Sequence, residues 1–443
     1  MRVVDALVVG GGFAGVTAAR ELALAGRKVV LLEAKDRIGG RTNSLVWHGE
    51  TVELGGTWVH YLQACVWREV VRAGAKVRSF GKADESLFNS GDGPRVLSED
   101  ERSETAAAWT AYFDGASDAL DVPFAVDPGR PGVAAIDTQT MAQRLAGLDI
   151  KPDARERLSA GLTSWANGSI DDAGALFPVR LFAMSGFSVP ALEATTTDFI
   201  LAEGTGALIG EMAAQADFDM RFHSTVTAVR RQADSVRVEL ADGTSIEART
   251  VVVALPLNVL GDIEFEPALG ASQAAAVSAP QVSSGCKVLI KAGGSDKRVD
   301  AAAVDQAFAH VLTDRFFSDG SQLLIAFGPD ARKMADAGIA DVQAYLDAMV
   351  EGMTVEDFVW HDWTQDSCAQ GTWAVHRPGW VSEHAAAFDA PVGNLFFAGS
   401  DFANGWIGHI DGAIETGMRA ARQVEQYLYD TTHSAHSAPK ETA

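Results

Sequence analysis

The chain is poor in cysteine. Cys65, Cys286 and Cys368 are the three among 443 residues. So odd and scattered a set forms no disulfide framework and has no metal-ligand spacing, which fits a reducing, cytoplasmic setting. Positive charge is also short: 36 Lys and Arg against 59 Asp and Glu leave a net charge of −23. Phosphate polymers need a basic face, so nucleic acid and anionic membrane surfaces are excluded as partners. No apolar run is long enough to span a bilayer, and no basic and apolar leader precedes Val3, where folding sequence begins. No internal repeat is evident. What the chain does have is apolar bulk. Hydrophobic residues make up 47%, enough for a large core spread over about two or three domains.

The most informative stretch is the first forty-odd residues. An apolar run from Val3 to Val9 reads as a buried strand. Gly10-Gly11-Gly12-Phe13-Ala14-Gly15 follows at once, then an alanine-rich helical pattern ending near Gly26. A second apolar run, Val29 to Leu32, closes on Glu33-Ala34. Strand, glycine turn, helix, strand and acidic residue together make a dinucleotide-binding fingerprint in its required context. Gly10 permits the tight turn, Gly12 lets backbone approach a pyrophosphate, and Gly15 lets helix and strand lie close. Ala14 sits in the first helical turn, whose N–H groups and dipole suit phosphate. Glu33 is placed to accept from ribose hydroxyls. The loop Asp36-Arg37-Ile38-Gly39-Gly40-Arg41-Thr42 comes next and is predicted to close over ribose and pyrophosphate. Gly55-Gly56-Thr57-Trp58 then supplies a second close-approach glycine pair. Two such pairs suggest a long ligand threaded between loops.

Residues 84–200 change character and read as a helical insertion, with helices expected near Ala106 to Leu120, Asp137 to Leu145 and Asp153 to Trp165. Strands return at Val226 to Val229, Val236 to Leu240 and Val251 to Leu255, with a tight turn at Asp242-Gly243. Lys287 to Lys291, Phe308 to Thr313 and Gln322 to Phe327 suggest an antiparallel sheet. Asp341 to Met353 looks helical, Asn394 to Ala398 is a last strand, and Gly412 to Tyr429 a last helix. The expected fold is α/β (α+β overall): a discontinuous Rossmann-like FAD-binding domain plus a substrate domain with an antiparallel sheet and the helical insertion. The first domain takes residues 1–83, 201–275 and 390–430. The second takes 84–200 and 276–389, and 431–443 form a flexible tail.

These segments, taken in order with Phe397-Ala398-Gly399-Ser400-Asp401 and Gly412-Ala413, resemble the flavin monoamine oxidase family, the flavin-containing amine oxidoreductases. The stretch His361-Asp362-Trp363 through Gly371-Thr372-Trp373 to Arg377-Pro378-Gly379 looks most like the bacterial 6-hydroxy-L-nicotine oxidase branch. The resemblance implies FAD lying extended between the domains, with Val226 at the adenine, Trp363, Gly399 and Ser400 around the cofactor, and Asp401 in its ribityl or phosphate network. It implies that Gly408, His409, Ile410 and Ala413, at the start of the last helix, face the flavin pyrimidine. There a dipole end stabilises negative charge. Lys287 resembles the family lysine that holds a water against flavin N5; read without the family, it is a solvent-facing strand lysine. Trp373 resembles the first wall of the family's aromatic cage. His409 stands where the second wall is usually Tyr, or else caps a helix. Thr372 occupies the position of the cysteine that binds flavin covalently in animal relatives, so noncovalent FAD is expected.

The implied activity is oxidation of a small amine at its C–N bond to an imine, later hydrolysed, with reoxidation by O2 to hydrogen peroxide. A homodimer fits the family. Rival readings are a flavin dehydrogenase passing electrons to a carrier protein, an L-amino-acid oxidase with Arg180 as carboxylate anchor, an NAD dehydrogenase, and a non-catalytic protein that keeps the nucleotide cradle as scaffold. His60 has equal claims to the site and to the core. Trp165, Phe177, Phe182 and Phe187 are candidates for a substrate cavity or for packing.

Overall fold

A computed structural model describes residues 4–124 and 126–437. Its first sheet grows around the strand Val4–Val9, whose residues Ala6 to Val8 are wholly buried. Burying each large side chain of this kind contributes roughly 1.5–3 kcal/mol. Val4–Val9 pairs in parallel with Val29–Leu32 on one side and Ser245–Val253 on the other. Beyond Val29–Leu32 lies Asp219–Arg221. The long strand Ser245–Val253 divides its free edge. Its first half pairs antiparallel with Val236–Leu240, and its last three residues pair in parallel with Leu395–Phe397. Val226–Arg231 and Glu264–Glu266 complete this sheet. Of the run Val251 to Leu255, Val251 to Val253 form the buried end of a longer strand, extended outward by the alternating residues Ser245 to Thr250, and Ala254 and Leu255 lie beyond it.

The second sheet runs in the order Thr354–Trp360, Cys286–Gly293, Gln322–Gly328, His310–Phe316, Val299–Ala303, Glu85–Asn89, Arg95–Val96. It is antiparallel except where Val299–Ala303 meets Glu85–Asn89. One register row crosses it: Lys287 opposite Phe327, Phe327 opposite His310, His310 opposite Ala302, Ala302 opposite Phe88. Helices from the insertion, chiefly Glu99–Tyr112, Pro152–Ala166 and Val189–Thr197, cover the face that carries this row.

Several expectations change in detail. The insertion is not all helical, because Glu85–Asn89 and Arg95–Val96 belong to the second sheet. The helix expected over Asp137 to Leu145 is two helices, Pro131–Asp137 and Met141–Ala146. Thr140 separates them as an N-cap, its hydroxyl accepting from Gln143 N at 3.0 Å. The helix expected over Asp341 to Met353 ends at Asp347. The last helix spans Ile410–Ser437 and runs through most of the stretch expected to be a flexible tail. No glycine or proline stands between Gly417 and Pro439 to stop it. The remainder of that tail, 438–443, and the start of the first strand at Val3 lie outside the described residues. Among the described residues no helix is long and apolar enough to cross a membrane.

Candidate functional site

The first glycine turn is shaped by contacts that leave no room for a side chain. Gly10 has φ +104°, and a Cβ there would stand 2.7 Å from Ala254 O. A Cβ on Gly15 would stand 1.9 Å from Gly10 O, so the helix Phe13–Leu24 starts tight against the turn. Gly12 differs: the nearest atom to its Cβ would be Gly40 Cα at 3.9 Å. Its open side faces a cavity. The helix that follows has no side-chain cap and no acidic residue in its first turn. Its N-terminal N–H groups and dipole end are therefore available to an anion. The helix Ile410–Ser437 packs directly on it, where a Cβ at Gly417 would meet Ala14 O at 2.4 Å. That contact fixes two helix N-termini beside one cavity.

This cavity has a volume of about 1100 Å3. That exceeds the usual upper range of about 1,000 Å3 for a drug-sized ligand. Its walls include Gly10, Gly12, Ala14, Glu33, Ala34, Gly40, Arg41, Thr42, Gly55, Gly56, Thr57, Trp58, Val226, Trp363, Gly399, Ser400, Gly408, His409, Ile410 and Ala413, and also Lys287 and Trp373. Residues from opposite ends of the sequence thus share one continuous wall. At one end Glu33 accepts from Gly11 N at 2.6 Å and from Lys35 N at 2.8 Å. Each carboxylate oxygen keeps a lone pair for a ribose hydroxyl. A carboxylate, a bare helix N-terminus and Gly12's open face together fit the ribose and pyrophosphate of an extended dinucleotide.

Three predicted contacts stand behind the wall. Gly15 is buried against Gly10, as its role in close packing requires. Arg37 turns inward and donates to Thr42 O at 2.8 Å and Gly40 O at 3.2 Å. It therefore staples its own loop. Asp401 is wholly buried and does not itself line the cavity; it stands behind Arg41 and Ser400, which do. Its carboxylate pairs with Arg41, and it accepts from Leu257 N at 3.0 Å and Ser400 Oγ at 2.9 Å. Burial alone would raise its pKa, but Arg41 and these donors hold it below the ordinary aspartate range. Arg41 also donates to Thr372 O and Ser400 Oγ, each at 2.9 Å. One guanidinium thus joins the 37–42 loop, the Thr372 segment and the Ser400 turn.

Lys287 is buried in the middle of the cavity wall. Its ammonium donates to Glu53 O at 2.8 Å, Gly55 O at 2.9 Å and the Thr57 hydroxyl, and lies 5.5 Å from the Trp58 ring centre. Burial pushes its pKa down to about 8, against the opposing charges of Glu53 and Asp314. Lys291, on the same strand, instead pairs with Asp319 and Glu356. Trp373 is fixed by an indole N–H bond to Trp165 O at 2.9 Å and by an edge contact with Phe327, ring centres 6.0 Å apart. The turn before His409 lies on this segment: a Cβ at Gly408 would be 3.6 Å from Trp373 Cβ. His409 Nδ1 lies 2.7 Å from Ile407 O, which assigns that nitrogen its proton and leaves Nε2 as an acceptor. Burial lowers the His409 pKa, so its ring is neutral at neutral pH.

The open alternatives resolve by position. His60 belongs to the core, stacked near Phe199 and accepting from Leu62 N. Arg180 donates to Ala403 O and Asn404 O, both at 3.0 Å, and is no part of the cavity wall. Trp165 and Phe177 line the cavity, whereas Phe182 lies behind it, stacked on Phe113 at 4.2 Å. Phe187 packs edge-on against Phe182 and is likewise off the wall. Phe327, His310, Asp300, Ser164 and Glu193 also line it. Sequence reading passed over all five. Only strand alternation marks Phe327, and nothing local marks the others.

A family model described as flavin containing amine oxidoreductase matches residues 13–425. A pseudooxynicotine dehydrogenase from Pseudomonas sp is 33% identical over 432 residues, covering 96% of this chain and 86% of its own. An (S)-6-hydroxynicotine oxidase from Paenarthrobacter nicotinovorans is 28% identical, covering 95% and 99%. Among solved structures, a cyclohexylamine oxidase from Brevibacterium oxydans superposes with a TM-score of 0.83 at 21% identity, covering 96% of this chain and 100% of its own.

Proposed function

This chain belongs to the flavin containing amine oxidoreductases, and on that premise we propose that it holds FAD noncovalently and oxidises the C–N bond of a small, largely apolar amine to an imine. One observation carries the reading. A single cavity joins the nucleotide-shaped end at Gly12 and Glu33 to an aromatic chamber, with Lys287, Trp373 and His409 at the junction. Bound there, a flavin supplies the acceptor for a hydride from the carbon next to nitrogen.

The chain's own residues do the rest. The helix N-terminus at Ile410 favours negative charge beside it. Trp373 and the neutral His409 ring orient an uncharged amine. Aromatic neighbours such as Trp109, Phe177 and Phe327 exclude water from its apolar part. Lys287, charged below about pH 8, places a cation where negative charge develops on the acceptor side. Noncovalent binding is supported by two positions. Thr372 has no thiol to offer, and its hydroxyl is engaged with Ser283. Cys368 lies in the field of Glu33, Lys35 and Asp366, at the ribose end of the cavity, with its thiol pKa raised by burial.

We read oxygen as the electron acceptor, through Lys287. A dehydrogenase using a carrier protein is the second reading, favoured by the name of the 33% identical relative. Anaerobic reduction by an amine followed by mixing with air-saturated buffer separates them. Reoxidation keeping pace with turnover supports the oxidase. Reoxidation far slower than reduction supports the dehydrogenase.

A further inference from the structure

Lys287 and Thr57 line a second, much smaller pocket as well as the large cavity. Its volume is about 10 Å3, room for roughly one water. Glu53, Arg78, Asp314 and Arg315 are the other charged groups on its wall, and none of them lines the large cavity. Three of these are paired off. Arg78 donates to Asp314 at 2.8 Å, Arg315 Nε donates to Asp314 at 3.1 Å, and Arg315 reaches on to Glu50 at 2.8 Å. Glu53 is different. It is 5% exposed, and its side chain accepts from neutral donors alone: Ser44 Oγ at 2.6 Å, Thr205 N at 2.6 Å and Thr205 Oγ1 at 2.9 Å. The Ser44 hydroxyl takes the Gly206 N–H at 2.9 Å, so its own proton points to Glu53. Donors aimed at a carboxyl in this way favour its ionised form. Among the described residues no cation is bonded to it.

Lys287 has the complementary lack. Its ammonium bonds to Glu53 O, Gly55 O and the Thr57 hydroxyl, none of them charged. Because Glu53 O is one of these acceptors, the Glu53 carboxylate is held near the ammonium by its own backbone. The other elements packed around Lys287 bring no spare charge. On the neighbouring strand Thr354–Trp360, Glu356 is taken by Lys291 and Asp357 by His48. Phe327 is the register partner of Lys287 and Trp58 its ring neighbour. His409, at the same junction, is neutral. One buried cation and one buried anion thus share a water-sized pocket, each bonded to neutral groups and each favouring the other's charged form. Burial opposes both charges, pushing the Lys287 ammonium down and the Glu53 carboxyl up. We propose that Glu53 is the counter-charge of Lys287, a positioning residue that keeps the ammonium charged from behind the wall of the flavin cavity. The inference rests on the reading of Lys287 as the cation of the oxidative half-reaction and adds the group that sets its charge.

The test is a double-mutant cycle on the flavin-loaded protein with Glu53→Gln, Lys287→Met and the double variant, read by urea unfolding at neutral pH. Gln can keep its oxygen on Ser44 and Thr205 N and turn its amide to the Thr205 hydroxyl, so the charge is what is lost. The expected result is a double variant whose unfolding constant rises about tenfold less than the product of the single effects. Stopped flow adds a readout that a merely structural role would not move. Glu53→Gln should shift the alkaline limb of the oxidative half-reaction about one pH unit lower, and Glu53→Asp, which keeps the charge, should return it towards the wild-type position. Single losses that simply add overturn the pairing. So does a wild-type alkaline limb that Glu53→Gln leaves in place. If Glu53→Gln does not fold, the double variant decides: a folded double variant supports the pairing, and one that also fails to fold overturns it. Unfolding reads the pair whatever the electron acceptor is, so slow reoxidation of the wild type at every pH overturns the oxygen reading and leaves the cycle to judge the pair.

Discussion

Replacing Lys287 by Met tests the junction and the electrostatics together. The ammonium is buried and its pKa is pushed down to about 8, whereas an unfolded lysine titrates near 10.4. Between those values the unfolded chain binds more protons than the native one, so stability rises with pH through that window. The full gain is about 3 kcal/mol, reached as pH passes the unfolded value. Lys287→Met removes the titration and flattens the curve. Near pH 7 it relieves the cost of a buried charge but strips donors from Glu53 O, Gly55 O and Thr57. Each loss costs about 1–3 kcal/mol, so the net change at neutral pH is small or destabilising. Function should follow the same titration. The oxidative half-reaction should slow as pH rises through about 8 in the wild type, and should be slow and flat in the variant. The reductive half-reaction should change far less. Urea unfolding at several pH values and double-mixing stopped flow provide both readouts. The reasoning fails if Lys287→Met keeps the wild-type pH dependence, or if both half-reactions fall equally.

The glycine turn offers a paired prediction. Gly12→Ala meets no protein atom closer than 3.9 Å, so it should fold with a normal melting curve yet purify with little flavin. Gly15→Ala, facing Gly10 O at 1.9 Å, should lose stability with or without cofactor. Arg41→Met should leave the buried Asp401 carboxylate unpaired and cost about 3–5 kcal/mol, read by denaturant unfolding. Arg41→Met/Asp401→Leu should recover most of that loss. Acid precipitation should release all yellow colour into the supernatant, since Thr372 has no thiol and Cys368 lies at the ribose end; colour kept in the pellet would contradict this.

Local sequence was most legible where covalent spacing forces the geometry. Gly10, Gly12 and Glu33 share one strand–turn–helix unit, and nothing distant is needed to place them together. Lys287, Trp373 and His409 were named through family likeness, and periodicity alone would not have selected them. The strand Val299–Ala303 went unread because its alanines favour helix, and only pairing with Glu85–Asn89 and His310–Phe316 makes it a strand. The far cavity lining was invisible for the same reason. Asp300, His310, Ser164 and Glu193 meet only through sheet register and helix docking. The pairing of Asp401 with Arg41 was not legible, because a carboxylate after a strand looks the same in sequence whether it faces a cavity or an arginine.

The most direct measurement is anaerobic titration of the purified protein with a panel of amines, following flavin absorbance and the carbonyl product together. The account predicts bound flavin that bleaches with at least one amine, with one equivalent of carbonyl formed per flavin reduced. A flavin spectrum that no amine bleaches, or bleaching without carbonyl product, would contradict it.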